Sequence, residues 1–487
     1  MKHLLFLLCL LMATTTRAGE YEPQPLRFHN GNFRIAQFTD FHWGDAPVDT
    51  ALCHNMVRAV VNSQKPNLIV LTGDIVTGGK AKTGWRQIIS MMEETDTPYA
   101  VIMGNHDAEC EPGIPADSIY QWLRLWAPHC VNACYEEGIY GHGNKMLAIH
   151  GEKDARVKAA VWCIDSNDYP KEPRLERYSY YDWIHTDQID WYEHTSNALK
   201  AQNDGVPVPS LAFFHICLQE HILAGRQPHF GTFVGGASPA EVNSGFFQRA
   251  YVQGDIMGMF VGHDHTNDFV SMYKGIALGF GRQSGKYSHN ERVPVGARLF
   301  DLKEGEHAFQ SWICTMNGAE PRYYYPLDYN DTMCPERLPA LDVKPKKHGV
   351  AYTYYENENA KNVPEMLSGK VVQTGVMPVF DISQAPSEDH FGYSFDTYLL
   401  VDEDGPYRFN ITSDDGAMLY VDGQLVIDND GSHSRDEKHG YIGLKKGYHH
   451  LHLDYFEDYM GQMLKITVST LKAVDQPIPA DKLYCPK

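Results

Sequence analysis

The sequence predicts an α/β layered domain followed by an all-β sandwich. Between residues 33 and 301, short apolar runs alternate with amphipathic stretches, which is typical of strands and helices packed in layers. Beyond residue 348 the helical pattern stops, and short strand-like runs are separated by Asp-Gly and Lys-Gly turns. A chain of 487 residues with 43% hydrophobic residues is long enough to build two such cores.

Four segments follow one another along the chain. We place a signal peptide at residues 1–18, the α/β domain at 19–315, a proline-rich linker at 316–347 and the β-sandwich at 348–487. The first segment has an apolar core, and its small-residue end fits a cleavage site before residue 19. The apolar run is shorter than the roughly 18 residues that span a bilayer. We therefore expect a secreted, periplasmic or extracellular protein without a transmembrane segment.

Charge and cysteine content narrow the function further. The formal net charge is −20, which argues against a nucleic-acid partner, because such partners require a basic surface. An anionic substrate would need local positive charge, which bound metal ions provide. Without Cys9 of the signal peptide, nine of the ten cysteines remain, and an odd number leaves at least one unpaired or paired between chains.

Polar side chains follow the first three predicted strands, at the point where each strand ends. The strands and their polar followers are Phe33–Phe38 with Asp40 and His42, Asn67–Leu71 with Asp74, and Tyr99–Met103 with Asn105, His106 and Asp107. Helices are predicted between them at residues 49–63 and 84–94. Because ligands collect beyond the carboxyl ends of parallel strands, we expect these groups to share one site.

The remaining elements of the first domain bring three more histidines. We predict a helix at 116–126, paired strands at 146–150 and 159–164, and a helix at 186–200. A strand at 211–214 ends in His215, residues 220–245 are interpreted as a long loop over the site, and residues 246–251 are predicted to be helical. A strand at 257–261 precedes His263 and His265, and strands are predicted at 276–280 and 297–301.

Together these positions supply seven metal donors, all oxygen or imidazole: Asp40, His42, Asp74, Asn105, His215, His263 and His265. Such a set suits Zn, Mn or Fe. Seven donors exceed the need of one ion but suffice for two that share a carboxylate, and Asp74 is the natural bridge because Gly73 lets the backbone turn. A metal pair is the usual clamp for hydrolysing phosphate esters. His106 could protonate the leaving alkoxide, and Asp107 could orient its imidazole.

The motifs Asp-x-His, Gly-Asp-x-x-Thr, Gly-Asn-His-Asp, a lone later His and Gly-His-Asp-His resemble the calcineurin-like metallophosphoesterase superfamily, in its purple-acid-phosphatase-related branch. The resemblance covers about residues 30–315. It implies a four-layer fold of two β-sheets flanked by helices, with His106 as catalytic acid. One metal ion would bind Asp40, His42, Asp74 and His265, and the second would bind Asp74, Asn105, His215 and His263.

One position departs from the pattern of purple acid phosphatases. Members of that branch carry a metal-binding Tyr shortly after the bridging Asp, whereas Ile75-Val76-Thr77 follows Asp74 here. The Fe(III) charge-transfer centre is therefore in doubt, and Mn, Zn or Fe(II) are the expected metals. Taken singly, a histidine after a strand is most often structural, so the prediction rests on the ordered set.

Arg282 lies in a glycine-rich segment between two predicted strands. Its guanidinium could grip a phosphate oxygen, or it could be an ordinary surface arginine.

The C-terminal part, about 348–484, resembles the protective-antigen-like (PA-fourteen) β-sandwich, through the run from Thr412 to Gly423 and the run from Leu444 to His449. Such modules are often appended to secreted carbohydrate-active enzymes and adhesins, so the resemblance implies a glycan partner. Asp414 and Asp415 match the position where some members hold calcium, and carboxylates suit that ion. Alternatively, these aspartates only build a turn.

The combined interpretation is a secreted dinuclear metal-dependent phosphatase that hydrolyses phosphate esters. One alternative is a phosphodiesterase acting on nucleotides or glycerophosphodiesters. An alternative of another class is a non-catalytic glycan-binding protein whose phosphoesterase domain is vestigial.

Overall fold

The computed structural model describes residues 25–45, 49–110, 112–285 and 293–486. The predicted signal peptide lies outside these residues. Within them, no helix combines the length and the apolar character that crossing a membrane requires. The chain forms two compact units: one runs to Glu306 and includes Ile313–Ala319, and the other comprises His307–Trp312 and the chain from Glu320 onward.

The first unit mixes strands and helices. Its strands are β1 (Leu26–Arg27), β2 (Asn32–Phe38), β3 (Leu68–Thr72), β4 (Tyr99–Ile102), β5 (Lys145–His150), β6 (Val157–Cys163), β7 (Ser210–Phe213), β8 (Ile256–Val261), β9 (Val270–Tyr273), β10 (Ile276–Phe280), β11 (Gly296–Lys303), the end of β12 (Phe309–Thr315) and β13 (Gly318–Ala319). Its helices are α1 (Thr50–Gln64), α2 (Ala81–Glu93), α3 (Ala116–Trp126), α4 (Thr186–Gln202), α5 (Gln219–Gly225) and α6 (Phe246–Gln253).

Two mixed sheets form the centre of this unit. One has the order β1-β5-β6-β7-β8-β10-β9, and the other contains the run β11-β2-β3-β4. Strands β2, β3 and β4 are parallel neighbours in the second sheet, and β6, β7, β8 and β10 are parallel neighbours in the first. The carboxyl ends of β2, β3 and β4 therefore lie at one edge of their sheet, as do those of β7 and β8 in the other. Each of β3, β4, β7 and β8 is buried along its whole length, which explains why these strands read as continuous apolar runs.

Helix α1 shows how the local sequence sets an element. Its buried positions, Cys53, Met56, Val57, Val60 and Val61, recur every three or four residues and form one apolar face. Asp49 caps the start by accepting a hydrogen bond from Leu52 N at 2.9 Å. The helix ends at Lys65, which adopts a left-handed conformation before Pro66.

The segment 220–245 was predicted to be a loop throughout, and this is wrong at its start, where α5 forms. Its anchor is His221, a fully buried ring that packs against Phe214 and Phe280. Burial lowers the pKa of His221 to about 3, so the ring is neutral and behaves as a core side chain. The helix is only seven residues long and its buried anchor is a histidine, so its apolar face is too short to stand out in the sequence.

The second unit is almost entirely β-structure. Its strands are the start of β12, β14 (Tyr323–Tyr325), β15 (Tyr329–Asn330), β16 (Val350–Glu356), β17 (Lys370–Met377), β18 (Phe391–Val401), β19 (Gly405–Asp414), β20 (Ala417–Val421), β21 (Gln424–Asn429), β22 (Asp436–Leu444), β23 (Gly447–Glu457), β24 (Met463–Ser469), β25 (Gln476–Pro477) and β26 (Leu483–Tyr484), with one short helix, α7 (Val363–Leu367). The sheets β17-β16-β18-β23-β20-β21 and β22-β19-β24-β25 enclose one apolar core. The predicted α/β unit followed by an all-β unit is confirmed.

Candidate metal centre

The loops that follow β2, β3 and β8 turn sharply. Asp40, His42, Asp74 and His263 all have positive φ angles, of 53°, 48°, 48° and 76°, which is uncommon for residues other than glycine. Backbone hydrogen bonds join the first two loops, from Asp40 N to Gly73 O and from His42 N to Asp74 O. Such strained conformations cluster at functional sites, where the surrounding structure holds them.

The first donor group contains Asp40, His42, Asp74 and His265, whose donor atoms all lie within 4.8 Å of one another. His42 Nε2 and His265 Nε2 are 2.9 Å apart, and His265 Nε2 is 3.6 Å from Asp40 Oδ1. His42 Nε2 is 3.8 Å from Asp74 Oδ2. These are the four residues that the family resemblance assigned to one metal ion.

The second donor group contains Asp74, His215 and His263, again within 4.8 Å. His215 Nε2 lies 3.3 Å from Asp74 Oδ2, so Asp74 belongs to both groups. His215 Nδ1 donates a hydrogen bond to Thr72 O at 2.8 Å, which leaves Nε2 as the nitrogen that can bind an ion. Asn105, the fourth predicted donor, is buried and follows β4.

The chemistry of the buried atoms fits a pair of cations. Asn105 Oδ1 is a buried acceptor without a hydrogen-bond partner, which is costly unless a ligand completes it, and His215 Nε2 is buried with Asp74 Oδ2 3.3 Å away. Asp40 and Asp74 are two carboxylates buried in the same place, and such charges normally coordinate metal or are paired. The described part of the chain thus has two groups suited to metal, joined through one carboxylate.

The electrostatics of these residues also favour positive charge. Burial alone raises the pKa of Asp74, but the charge and hydrogen bond of His215 outweigh burial and hold that pKa well below its usual range. Burial lowers the pKa of His215, and the charge of Asp74 more than reverses this and raises it to about 10. Burial and the charge of His215 lower the pKa of His263 to about 3, which keeps its ring in the neutral form that binds metal.

Two glycines allow the loops to approach this closely. A Cβ atom on Gly104 would lie 2.3 Å from Asp74 Oδ1, and one on Gly262 would lie 2.0 Å from Thr39 Oγ1 and 2.8 Å from Asp40 Oδ2. Neither position has room for any side chain. The donor groups therefore depend on the glycines of the Gly-Asn-His-Asp and Gly-His-Asp-His motifs as well as on the donors.

His106 stands at the rim of the centre. Its backbone N–H donates to Asp74 Oδ1 at 2.9 Å, and its ring centroid is 6.1 Å from that of His42. The ring is partly exposed, and its Nδ1 is 2.5 Å from Glu109 Oε2. The side chain is thus accessible and held by a carboxylate.

The structure contradicts the orienting role predicted for Asp107. This carboxylate is fully buried and accepts three backbone hydrogen bonds, from Ile75 N, Val76 N and Gly104 N, at 2.8–2.9 Å. It therefore fixes the backbone on either side of the donors. Glu109, three residues after His106, occupies the position that we predicted for Asp107.

Arg282 is buried, so its interpretation as a surface arginine is wrong. Its Nε donates to Asp268 Oδ2 at 2.6 Å and its Nη1 donates to Pro294 O at 3.0 Å. These contacts engage the guanidinium within the fold and give no support to the predicted phosphate contact.

Asp45, Thr77 and Tyr169 fix the orientation of the donors by hydrogen bonds, and the sequence analysis gave none of them a role. Asp45 Oδ2 lies 3.3 Å from His42 Nδ1 and accepts a hydrogen bond from Thr77 Oγ1 at 2.5 Å, which leaves His42 Nε2 toward the centre. Tyr169 accepts a hydrogen bond from Asn105 Nδ2 at 3.1 Å, so Asn105 Oδ1 is the atom left for an ion. Thr77 was visible as the last residue of Gly-Asp-x-x-Thr, whereas Tyr169 belongs to no motif.

In the second unit, Asp414 and Asp415 lie at the end of β19 in an acidic region. Asp415 accepts backbone hydrogen bonds from His433 N and Asp458 N, at 2.7 and 2.8 Å, as the turn interpretation requires. Burial, followed by the charges of Asp415 and Asp414, raises the pKa of nearby Glu457 to about 8 although Tyr455 donates to it. Calcium at this place stays a prediction.

Cys130 and Cys134 are not joined to each other, and Cys110, Cys163, Cys217, Cys314 and Cys334 likewise form no disulfide within the described residues.

Comparisons with known proteins agree with both units. The family model described as calcineurin-like phosphoesterase matches residues 33–267, and the one described as PA14 domain matches residues 346–481. The chain is 31% identical over 305 residues to "Probable inactive purple acid phosphatase 29" of Arabidopsis thaliana, covering 55% of this chain and 75% of that protein. It is 27% identical over 310 residues to "Probable inactive purple acid phosphatase 14" of the same plant, covering 56% and 76%.

Among solved structures, a dimetal phosphatase from Danio rerio aligns with 9% identity and a TM-score of 0.43, covering 59% of this chain and 98% of that one. Both plant relatives are named inactive, so similarity alone does not establish catalysis.

Proposed function

The chain belongs to the calcineurin-like phosphoesterase family, and on this premise we propose that it is a metal-dependent phosphatase. The observation that carries the proposal is the pair of buried donor groups that share Asp74. Asn105 Oδ1, the fourth donor predicted for the second group, is buried without a hydrogen-bond partner, and a bound ion would supply one.

The donors divide between two ions as the resemblance implies. Asp40, His42 and His265 would hold one ion, Asn105, His215 and His263 would hold the other, and Asp74 would bridge them. When bound, a pair of Mn, Zn or Fe ions supplies charge that neutralises phosphoryl oxygens and lowers the pKa of a bound water. The chain contributes the fixed spacing of the donors, through Asp107, Asp45 and the two glycines described above.

His106 would donate the proton that the departing oxygen needs. Glu109 engages Nδ1, so Nε2 is the nitrogen left to deliver that proton. The ring is tied to the centre through its own backbone N–H, which donates to Asp74. His106 is thus placed by the same residue that joins the two donor groups.

The absence of a tyrosine shortly after Asp74 changes which metals we expect, but it does not change the seven predicted donors. Ile75 and Val76 follow Asp74 and are fully buried, so their side chains fill the core beneath the loop. No tyrosine stands at the position shortly after Asp74 where purple acid phosphatases carry the ligand of their Fe(III) centre. We expect a protein without a purple colour that is active with Mn, Zn or Fe(II).

The test is metal analysis combined with two substrates. Purified protein loaded with Mn or Zn should contain two ions per chain and hydrolyse p-nitrophenyl phosphate faster than bis-p-nitrophenyl phosphate. Asp74→Asn should lose metal, because the shared carboxylate weakens toward both ions. Asp204→Asn changes an exposed carboxylate that pairs with Arg156 and belongs to neither donor group, so it is the matched control and should keep both metal and activity.

Two results would favour the alternatives. Faster hydrolysis of the diester would indicate a phosphodiesterase. Glycan binding that persists after chelation, with no phosphoester hydrolysis under Mn, Zn or Fe, would indicate a non-catalytic glycan-binding protein. A full metal content in Asp74→Asn would count against the shared carboxylate.

Export and glycan binding remain part of the proposal. The match of residues 346–481 to the PA14 domain supports a sugar or protein ligand for the second unit. A glycan array on the whole protein, with and without calcium, would test this.

A further inference from the structure

Three tyrosines stand beside the second donor group and form a continuous aromatic surface. Tyr169, Tyr180 and Tyr181, here called the tyrosine cluster, lie on the loop between β6 and α4. Their ring centroids are 4.9 Å apart for Tyr180 and Tyr181, 5.6 Å for Tyr169 and Tyr180, and 6.0 Å for Tyr169 and Tyr181. Each ring therefore supports the other two.

The tyrosine cluster touches the metal donors directly. The ring of Tyr181 meets that of His263 edge to face, at 4.7 Å and 88°. The hydroxyl of Tyr169 accepts the hydrogen bond from Asn105 Nδ2. A phosphoester bound at the donors would thus have this aromatic surface next to its organic group.

The loop that carries the cluster is fixed to its neighbours. Glu241 Oε2 accepts hydrogen bonds from Ser179 Oγ and Tyr180 N, at 2.9 and 2.8 Å. Ser179 Oγ also lies 2.6 Å from Tyr181 O, and Ser179 is buried. The rings are consequently held in place before any ligand arrives, which lowers the entropy cost of binding.

The exposure of the Tyr180 side chain argues against a purely structural role for this residue. Tyr169 and Tyr181 could serve only to cover the donors, because both are partly buried. Tyr180 is 64% exposed, yet two other rings hold it beside the centre.

We propose that the tyrosine cluster is a subsite for a planar aromatic group on the phosphoester, so that arylmethyl, aryl and nucleoside phosphates are the preferred substrate class. The inference rests on the proposed phosphatase function, and it adds the chemistry of the organic group. A nucleobase and a simple aromatic ring offer the same planar face, and the substrates below distinguish these two sources.

The experiment compares substrates that differ in planarity and hardly in leaving-group chemistry. Benzyl phosphate and cyclohexylmethyl phosphate both release a primary alcohol of similar size, and only the first has an aromatic ring. We expect kcat/KM to favour benzyl phosphate by about threefold to tenfold, as aromatic contacts allow. Adenosine 5′-phosphate and ribose 5-phosphate share the leaving hydroxyl, and a larger preference in this pair than in the first would identify a nucleobase site.

Substitutions at Tyr180 test whether the preference for benzyl phosphate comes from the tyrosine cluster. Tyr180→Leu keeps apolar bulk without a π-face and should reduce the benzyl preference by about threefold, whereas Tyr180→Phe should retain it. Tyr178→Leu is the matched control, because Tyr178 is 72% exposed on the same loop and makes no ring contact within the described residues. A benzyl preference that is absent in the wild type, or unchanged in Tyr180→Leu, overturns the inference.

A binding measurement separates this inference from the proposed function. Benzylphosphonate and cyclohexylmethylphosphonate cannot be hydrolysed, and their dissociation constants on the metal-loaded protein can be measured by calorimetry. Tighter binding of benzylphosphonate that Tyr180→Leu abolishes supports the subsite even if the protein hydrolyses no phosphoester. Equal binding of both, or binding of neither, overturns the subsite, while metal-dependent hydrolysis without aromatic preference would leave the phosphatase function standing.

Discussion

Gly262→Ala should release metal and destabilise the first unit, although it adds only a single methyl group. The new Cβ would lie 2.0 Å from Thr39 Oγ1 and 2.8 Å from both Asp40 Oδ2 and Thr72 O. Thr39 is buried, so its hydroxyl has no open space to move into. That hydroxyl lies 2.7 Å from Asp40 Oδ2 and 2.9 Å from Thr72 O, and these contacts must break when it moves.

The magnitude follows from these contacts. Overpacking of a closed core by one methyl group costs about 1–3 kcal/mol. The hydroxyl has one proton, which it can donate to Asp40 Oδ2 or to Thr72 O, and losing that hydrogen bond adds about 1–3 kcal/mol. We therefore expect Gly262→Ala to lower the free energy of unfolding by about 2–6 kcal/mol and to displace Asp40 from the first donor group.

Urea unfolding followed by tryptophan fluorescence measures the free energy of unfolding of the first unit, because seven of the eight tryptophans lie between residues 43 and 191 in that unit. Gly113→Ala is the matched control: neither glycine has a positive φ, and a Cβ on Gly113 would meet only Ala108 O, at 3.5 Å. The double variant Thr39→Ala/Gly262→Ala should recover part of the loss, since it removes the obstructing hydroxyl. Stability within about 0.5 kcal/mol of wild type together with full metal content in Gly262→Ala would refute the reasoning.

Three further predictions concern the proton donor, the metal and a histidine of the second unit. His106→Ala should keep both ions and lower turnover of esters with poor leaving groups by about 10²–10⁴-fold. Glu109→Gln should lower the same turnover by a smaller factor. Equal rates in wild type and His106→Ala would show that His106 is not the proton donor. Chelation should lower the melting temperature of the first unit by fluorescence, and Mn or Zn should restore it, because an ion that binds only the folded state stabilises it; an unchanged melting temperature would argue against a bound metal. Asp396 and Asp454 raise the pKa of His452 to about 10, against roughly 6.5 in an unfolded chain, so its stabilising charge is fully present below about pH 6.5 and lost as the pH rises through 10. Calorimetry should therefore show a greater loss of stability between pH 6 and 10 in wild type than in His452→Gln, and identical losses would contradict the assignment.

The sequence was most informative where strands are buried on both faces. β3 and β8 are uninterrupted apolar runs, and the polar residue after each run marks a strand end that the fold brings to the centre. Asp40, Asp74, His215 and His265 are spread over more than two hundred positions, yet each could be predicted because it ends such a run. The donor groups thus follow from local patterns combined with one rule of sheet topology.

Partners that depend on tertiary packing could not be predicted in this way. Asp107 looked like the natural companion of its neighbour His106, but its carboxylate faces the backbone that follows Asp74. Arg282 was interpreted either as a phosphate contact or as a surface arginine, and the fold instead buries it and pairs it with Asp268. Tyr169 contacts Asn105 from a loop without regular structure, so no helical or strand periodicity in the sequence predicts this contact. The hydrogen-bond partners of these side chains come from other segments of the chain, and a local sequence pattern does not identify them.

The division of the donors between the two sheets has a consequence for biosynthesis. Asp40, His42, Asp74 and Asn105 follow strands of one sheet, whereas His215, His263 and His265 follow strands of the other. A nascent chain that has emerged only as far as residue 200 offers four donors and no complete group for either ion. The proposed second ion would find its full donor set only once residue 263 has left the ribosome, and the first only once residue 265 has, so loading of both ions would be a late event in maturation.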